Sequence, residues 1–420
     1  MNTAATPMTR LFGGIGAALS HPVYRNYWIG VSAQIVGRWM LKVAIGWLTW
    51  ELTKSTVWLG IVAGAETFPL IVLSLIGGAV ADKIGYLRIM WVSQLLLGGL
   101  AALFAVLVLA DLITIEGVVV LTAVMGSLEA LSGPARLSIV NALVPKKDLS
   151  AAIALGSASF NVGRVVGPAI AGALIVVVNI GTVMALAALT FFVFVLILLR
   201  TRIEETRSKS SGALNIVSDM KESLVYVWNH SGIFFLMLLL GATALLIRPY
   251  IDLAPGISVT MFGQGASGMA ILLSSTGAGG LIAGLYLAQR GETQGLTRLV
   301  TGSFLAAAIF LLLFTVSGHI WLAAAALSLV GFFILVGGIS SQTLIQNVVD
   351  PGVRARVMSL YIIISWGVPA VGALIMGWLA EFAGLQITLA GGGALAVLVW
   401  LIMARQGPKL KAQLEAVKET

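Results

Sequence analysis

Twelve times along this chain, apolar residues run on for 20 to 28 positions before a charged or turn-rich break interrupts them. A helix rises about 1.5 Å per residue, so each run is long enough to cross a hydrocarbon layer about 30 Å thick. The residues are 59% apolar and only 10% charged, where a soluble domain carries about 25% charge. Water could not cover such a chain, and the runs are read as transmembrane helices rather than core helices. They fall near 27–50, 57–81, 87–110, 117–143, 151–178, 180–199, 231–253, 266–288, 297–317, 320–345, 357–382 and 385–404. The expected fold class is an all-α membrane protein of twelve helices in two six-helix bundles.

Charge sets the expected orientation. With the N-terminus in the cytoplasm, 19 of the 25 basic residues lie on the inside and Lys54 alone lies outside, which is the positive-inside pattern of a plasma-membrane protein with both termini cytoplasmic. Trp47, Trp50, Trp58 and Trp321 then belong to an outer aromatic belt, and Trp28, Trp228 and Trp400 to an inner one. The segment before Tyr27 has no short apolar stretch with a cleavage site, so no removable signal peptide is expected. The net charge of +8 does not mark a nucleic-acid binder, because the basic residues are scattered over short loops without interleaved stacking aromatics. Cysteine is absent, which removes disulfides, thiolate metal sites and a Cys nucleophile. No cluster has metal-ligand spacing, and His21, His230 and His319 sit near span ends as interfacial residues.

The expected organisation is a cytoplasmic segment (1–26), a first bundle (27–199), a cytoplasmic linker with an amphipathic helix (200–230), a second bundle (231–404) and a cytoplasmic tail (405–420). Ile216, Met220, Leu224 and Val227 recur at helical spacing in the linker. The halves echo one another: VVGPAIAGALI aligns with AVGALIMGWLA, setting Gly167 on Gly372 and Gly172 on Gly377, an offset of 205. Two parallel six-span halves are an architecture of secondary transporters, whose site lies near the midplane between the halves.

Two motifs carry a mechanism. The loop between the second and third runs holds Gly78, Asp82, Lys83, Gly85 and Arg88. It is either a cytoplasmic latch, with Asp82 capping a helix or pairing with a base from the other half, or a solvated turn with ordinary inside charges. The fifth run holds Gly163, Gly167, Pro168 and Gly172. Small residues four and five apart let a neighbouring helix press close, and a proline bends the helix where rocking can be absorbed; a plain packing seam is the alternative.

These motifs resemble the inter-span and span-five "antiporter" signatures of the major facilitator superfamily. YRNYW (24–28), LTWELTKS (48–55), the stretch 134–172 and LIQNVVDPGVRARVMSLY (344–361) are similar to its bacterial exporter branch, which includes the enterobactin exporter and the macrolide efflux pumps. The resemblance implies a proton-driven antiporter of the inner membrane exporting a small organic molecule. The loop at 285–298 in the second half lacks the corresponding acid, which weakens a symmetric latch.

Ionisable groups inside a span cost at least about 2.5 kcal/mol each, so their presence needs a reason. Arg38, Lys42, Glu66, Glu129, Arg136, Arg164 and Arg248 are such groups. Lys42 and Glu66 lie at similar depth, and Glu129, Arg164 and Arg38 all fall near mid-membrane. Glu66, Glu129 or both are the candidates for taking up and releasing protons, with Arg38, Lys42 and Arg164 as the bases that tune them; static salt bridges are the alternative. Arg248, with Pro249 and Asp252 beside it, reads as an end brace. Gln34, Trp39, Ser274, Ser275, Thr276, Gln342, Ser365 and Trp366 are candidate cargo contacts that would equally satisfy one another between helices. The expected partners are a small amphiphilic substrate, protons and the lipid bilayer, for a monomer without cofactor. No nucleophile or paired catalytic carboxylates point to an enzyme, and no phosphate-cradling loop points to a primary pump. An importer or facilitator of the same fold is the rival reading.

Overall fold

Inside lipid no water is at hand for a backbone N–H or C=O, so a chain crossing the hydrocarbon must pair these groups within itself, and an apolar run becomes helix. The computed structural model describes residues 15–201, 216–290, 292, 294–350, 352–406, 411 and 413–415, whose regular elements are all helical. In order they are α1 (Pro22–Thr53), α2 (Thr56–Ile84), α3 (Tyr86–Leu109), α4 (Ile115–Leu143), α5 (Leu149–Val177), α6 (Ile180–Arg200), α7 (Ile216–Asn229), α8 (Ser231–Ala242), α9 (Ala254–Phe262), α10 (Ala266–Arg290), α11 (Leu296–Val316), α12 (Ile320–Val348), α13 (Arg354–Ala383) and α14 (Leu385–Ala404). Eleven stretches among the described residues are long and apolar enough to cross a membrane. The expected first span is not one of them. At 32 residues α1 is long enough, but Gln34, Arg38 and Lys42 dilute its apolar surface.

Side chains close several helix starts where the first amides have no partner within the helix. Thr114 accepts from the Gly117 N–H at 3.2 Å, and Asn179 from the Thr182 N–H at 2.8 Å. His230 and His319, expected as mere interfacial residues, do the same for Ile233 and Trp321. Gly85, between α2 and α3, has φ of 102°, a left-handed conformation that a side chain would resist.

The chain divides into two compact units. The first comprises the described residues of Met1–Leu48 and Phe68–Gly212. Glycine sets its close helix contacts. A Cβ on Gly37 would meet the Thr190 hydroxyl, one on Gly98 the Phe191 Cβ and the Phe192 ring, and one on Gly181 the Leu109 side chain. Lipid offers no hydrophobic drive between helices, so such close van der Waals approach carries the association. Tyr24, Tyr27, Val31 and Ile35 of α1 share a buried cluster with Met90 of α3, Ile139 and Leu143 of α4, Leu155 of α5, and Phe194 and Leu198 of α6.

The second unit comprises Thr49–Thr67 and the described residues of Ala213–Thr420, so the end of α1 and the start of α2 pack with the later helices. Here α10 and α12 meet backbone on backbone: a Cβ on Gly279 would stand 1.7 Å from the Ser328 carbonyl, and one on Gly331 2.2 Å from that of Thr276. The span expected over 231–253 is present as a stretch long enough to cross a membrane, Ser231–Ile251, but it is not one regular α-helix. After α8 the backbone passes through a π turn (Thr243–Ile247) and a 3₁₀ turn (Arg248–Ile251), then the separate helix α9. Gly372 of α13 receives the Leu245 carbonyl of this stretch, and Gly392 of α14 that of Leu246. Trp47 and Trp50, expected in an outer belt, are instead buried at 8% and 4% exposure, with Trp50 against Gly256 of α9. Protein contact outcompetes the interface for them. Trp321 and Trp228 are exposed.

Past α14 the chain returns to this unit. Leu414 is buried against Gly232, and Glu415 accepts from the Gly295 and Thr297 amides at 2.9 and 3.0 Å. Burial raises the Glu415 proton affinity, but the two amides and Lys411 outweigh it and hold the carboxyl below its ordinary value.

Candidate functional site

A carboxylate in a helix interior needs cations, and Glu129 has two. Its Oε2 lies 3.1 Å from Arg38 of α1 and 3.4 Å from Arg136 of α4. The Glu129 side chain is 11% exposed, against 33% and 25% for the guanidiniums. Arg136 stands two turns along from Glu129, on the same face of α4. The trio holds one negative and two positive groups, and the Arg136 Nε is buried without a hydrogen-bond partner. The charge is unbalanced, and protonating Glu129 would leave two guanidiniums facing a neutral acid.

One residue on from Arg38, Trp39 extends the cluster. The Arg164 guanidinium of α5 lies 5.7 Å from its ring centroid, a cation–π distance, and Phe160 meets it edge-on at 6.0 Å. The glycines of α5 bring these groups together. A Cβ on Gly163 would stand 2.5 Å from the Ile35 side chain, and one on Gly167 2.4 Å from the Trp39 Cβ. Pro168 and Gly172 are buried within the same continuous helix. One turn before Arg38, Gln34 is fully buried, and its amide has no hydrogen-bond partner.

Other sequence candidates stand apart from this cluster. Lys42 and Glu66 are half-buried, and both are engaged in polar or electrostatic contact. Arg248 of the second unit donates to the Ser365 carbonyl and lies 5.9 Å from the Trp366 ring, so its brace reaches α13. Ser275 turns its hydroxyl back to the Leu272 carbonyl at 2.8 Å, and Ser274 is also engaged. Thr276 accepts from Tyr250 at 3.2 Å, and Gln342 is half-buried. Of the loop motif, Gly85 is buried and Arg88 exposed, whereas Gly78, Asp82 and Lys83 lie outside the residues whose side chains are described.

Sequence reasoning does not pair Arg136 with Glu129, although their seven-residue spacing carries the signal. Nor does it find Phe160, the His21–Asp148 pair at 2.9 Å, or Glu381 near the end of α13. The Glu381 carboxylate accepts from the amides of Thr56 and Val57 at the start of α2 and from the Ser55 hydroxyl.

Known proteins resemble this chain in sequence or in fold. The staphyloferrin A transporter of Staphylococcus aureus (strain NCTC 8325 / PS 47) is 25% identical over 386 residues, 90% of this chain and 95% of that protein. The multidrug efflux pump Tap of Mycolicibacterium fortuitum is 30% identical over 201 residues, 46% of this chain and 49% of the pump. The nucleoside transporter NupG superposes with a TM-score of 0.69 at 15% identity, covering 91% of this chain and 98% of that one. A POT family transporter in complex with 5-aminolevulinic acid gives 0.72 at 14%, covering 96% and 98%. Residues 14–419 match the family described as transmembrane secretion effector. A helical membrane fold with echoing halves, charges held inside its helices and relatives that are transporters make this chain a member of that family, a transporter of the major facilitator type.

Proposed function

We propose that this transporter exports a small organic amphiphile, such as a drug or siderophore, from the cytoplasm of a bacterium in exchange for protons. It would work as a monomer with both termini cytoplasmic. The observation that carries the reading is Glu129 between Arg38 and Arg136. An ionised Glu129 ties α1 to α4 through Arg38; a protonated one releases that tie and leaves two like charges close together. Proton occupancy thereby biases how the first unit packs, which is what a coupling residue must do during alternating access. The Trp39, Phe160 and Arg164 group offers cargo a stacking surface beside that switch. The relatives that the chain resembles include a multidrug efflux pump and a staphyloferrin A transporter.

Everted vesicles incubated with a panel of fluorescent amphiphiles, with and without a proton gradient, test this. Gradient-driven accumulation of at least one compound is expected, and Glu129→Gln should abolish it while cargo still binds. Uptake into whole cells that ignores the gradient would make the protein an importer or facilitator and overturn the reading.

A further inference from the structure

The charges of the first unit leave Glu381 unused, yet it sits at a closely built seam of the second. Its Oε1 accepts from the Thr56 amide at 2.9 Å, the Val57 amide at 3.4 Å and the Thr56 hydroxyl at 3.4 Å, with the Ser55 hydroxyl alongside. The first turn of a helix carries unpaired amides and a partial positive charge, so an ionised carboxylate is held there twice over. The Thr56 hydroxyl also donates to the Gly377 carbonyl at 2.7 Å, one turn back along α13. Glycines let the backbones touch. A Cβ on Gly377 would stand 2.4 Å from the Thr56 carbonyl, and one on Gly60 2.7 Å from the Ala373 carbonyl. Gly256 of α9 packs equally close on Trp50 and Leu385. By sequence, Thr49–Thr67 belongs to the first six spans, yet it packs with the second unit.

We propose that Glu381 is a second proton-binding site of the transport cycle, one that reads the external solution and latches the α1–α2 turn onto α13 while it is ionised. Glu381 is exposed, so external protons reach it directly. A protonated carboxyl keeps fewer acceptor sites and no charge, and can no longer hold two amides and two hydroxyls. Moving the α1–α2 turn away from α13 requires that clasp to open. External acid then releases the latch when a proton-driven exporter must discharge its cargo. At this end of the packed elements the other charged groups are Glu51 in the last turn of α1, Lys54 in the turn after it and Asp252 before α9; α14 carries none, and Arg354 and Arg356 of α13 lie at its opposite end. The direction of the effect rests on the orientation and proton exchange proposed above, but the latch itself does not.

The chain has no cysteine, so spin labels can be placed cleanly at Leu52→Cys and Phe382→Cys, both exposed in the structure. Their separation in nanodiscs is expected to stay short near neutrality and to lengthen only as pH falls below the ordinary carboxylate range, because the donors around Glu381 favour its ionised form. Glu381→Gln should hold the long distance at every pH, and Glu381→Asp should restore part of the response. Ser55→Ala, which removes one donor and keeps the fold, should move the opening midpoint up by about one pH unit, the scale of one hydrogen bond to a carboxylate. A wild-type distance that ignores pH, or Glu381→Gln and Ser55→Ala curves that overlay the wild type, would sink the latch. Glu129→Gln measured in parallel keeps the two readings separate: if it still pumps while the label distance follows Glu381, the coupling assignment fails and the latch stands.

Discussion

A methyl group on Gly167 would stand 2.4 Å from the Cβ of Trp39 and 3.0 Å from the carbonyl of Val36, and a helix backbone cannot retreat as a side-chain tip does. Gly167→Ala is expected to cost about 1–3 kcal/mol, the range for overpacking, seen as earlier thermal unfolding in detergent. Gly156→Ala, with nothing within 4 Å of the added carbon, should melt no earlier because it gains helix propensity. Identical melting of the two variants would mean that the seam yields freely. At this scale part of the site is legible in the sequence. Small residues at four-residue spacing announce a close helix contact, and depth along the spans brings Arg38 and Glu129 to one level. Arg136 escapes because depth ranks residues along the membrane normal and ignores which face of α4 they share. Glu381 escapes for a different reason: an acid near a span end looks like any solvated charge, and its partner Thr56 is 325 positions away.

Among the elements, the regular spans are legible because apolar length dictates them, and the break after α8 is not. An apolar run reads the same whether its backbone is an α, π or 3₁₀ helix. What forces the change is the match of the Leu245 and Leu246 carbonyls to notches at Gly372 and Gly392, a tertiary fact. Helix α9 stays hidden because Pro255 reads as a turn, although proline suits a first helical turn. The return of the chain at Leu414 and Glu415 is likewise invisible in an exposed-looking tail. Its pH dependence has a definite sign. The Glu415 carboxyl titrates below its ordinary value of 4.5, so it favours the docked tail at all pH above that value, and the contribution is lost as pH falls through the lower folded value. Glu415→Gln should therefore speed amide exchange in the first turn of α11 by about fivefold near neutrality, the scale of a lost cap. Once pH has fallen through the lowered folded value the variant and the wild type should converge. Equal exchange rates at pH 7 would remove Glu415 from the capping role.

For the whole molecule, orientation rests on where the basic residues fall, and the absence of cysteine makes it simple to test. Gly318→Cys, in the turn before α12, is expected to react with a membrane-impermeant maleimide in intact cells. Asn229→Cys, at the end of α7, should react only after permeabilisation. The opposite pattern would invert the positive-inside assignment, and with it the sense of export. The fold class is legible in the sequence because the bilayer leaves the backbone so few solutions. The grouping of Thr49–Thr67 with the second unit is not, because which helix ends touch depends on packing that composition does not encode.

The same weak apolarity that sets α1 apart has a consequence for how the protein is made. This helix leaves the ribosome before the others, yet Arg38, Lys42 and Gln34 make it a poor entrant to lipid by itself. Glu129, which neutralises Arg38, follows roughly ninety residues later, a delay of several seconds at about 5–20 residues per second. During that interval α1 must be sheltered by the insertion machinery or held at the interface until α4 emerges. Biogenesis is therefore expected to couple these two helices as tightly as the finished bundle does, and a variant that loses Glu129 should show its first defect in the yield of inserted protein.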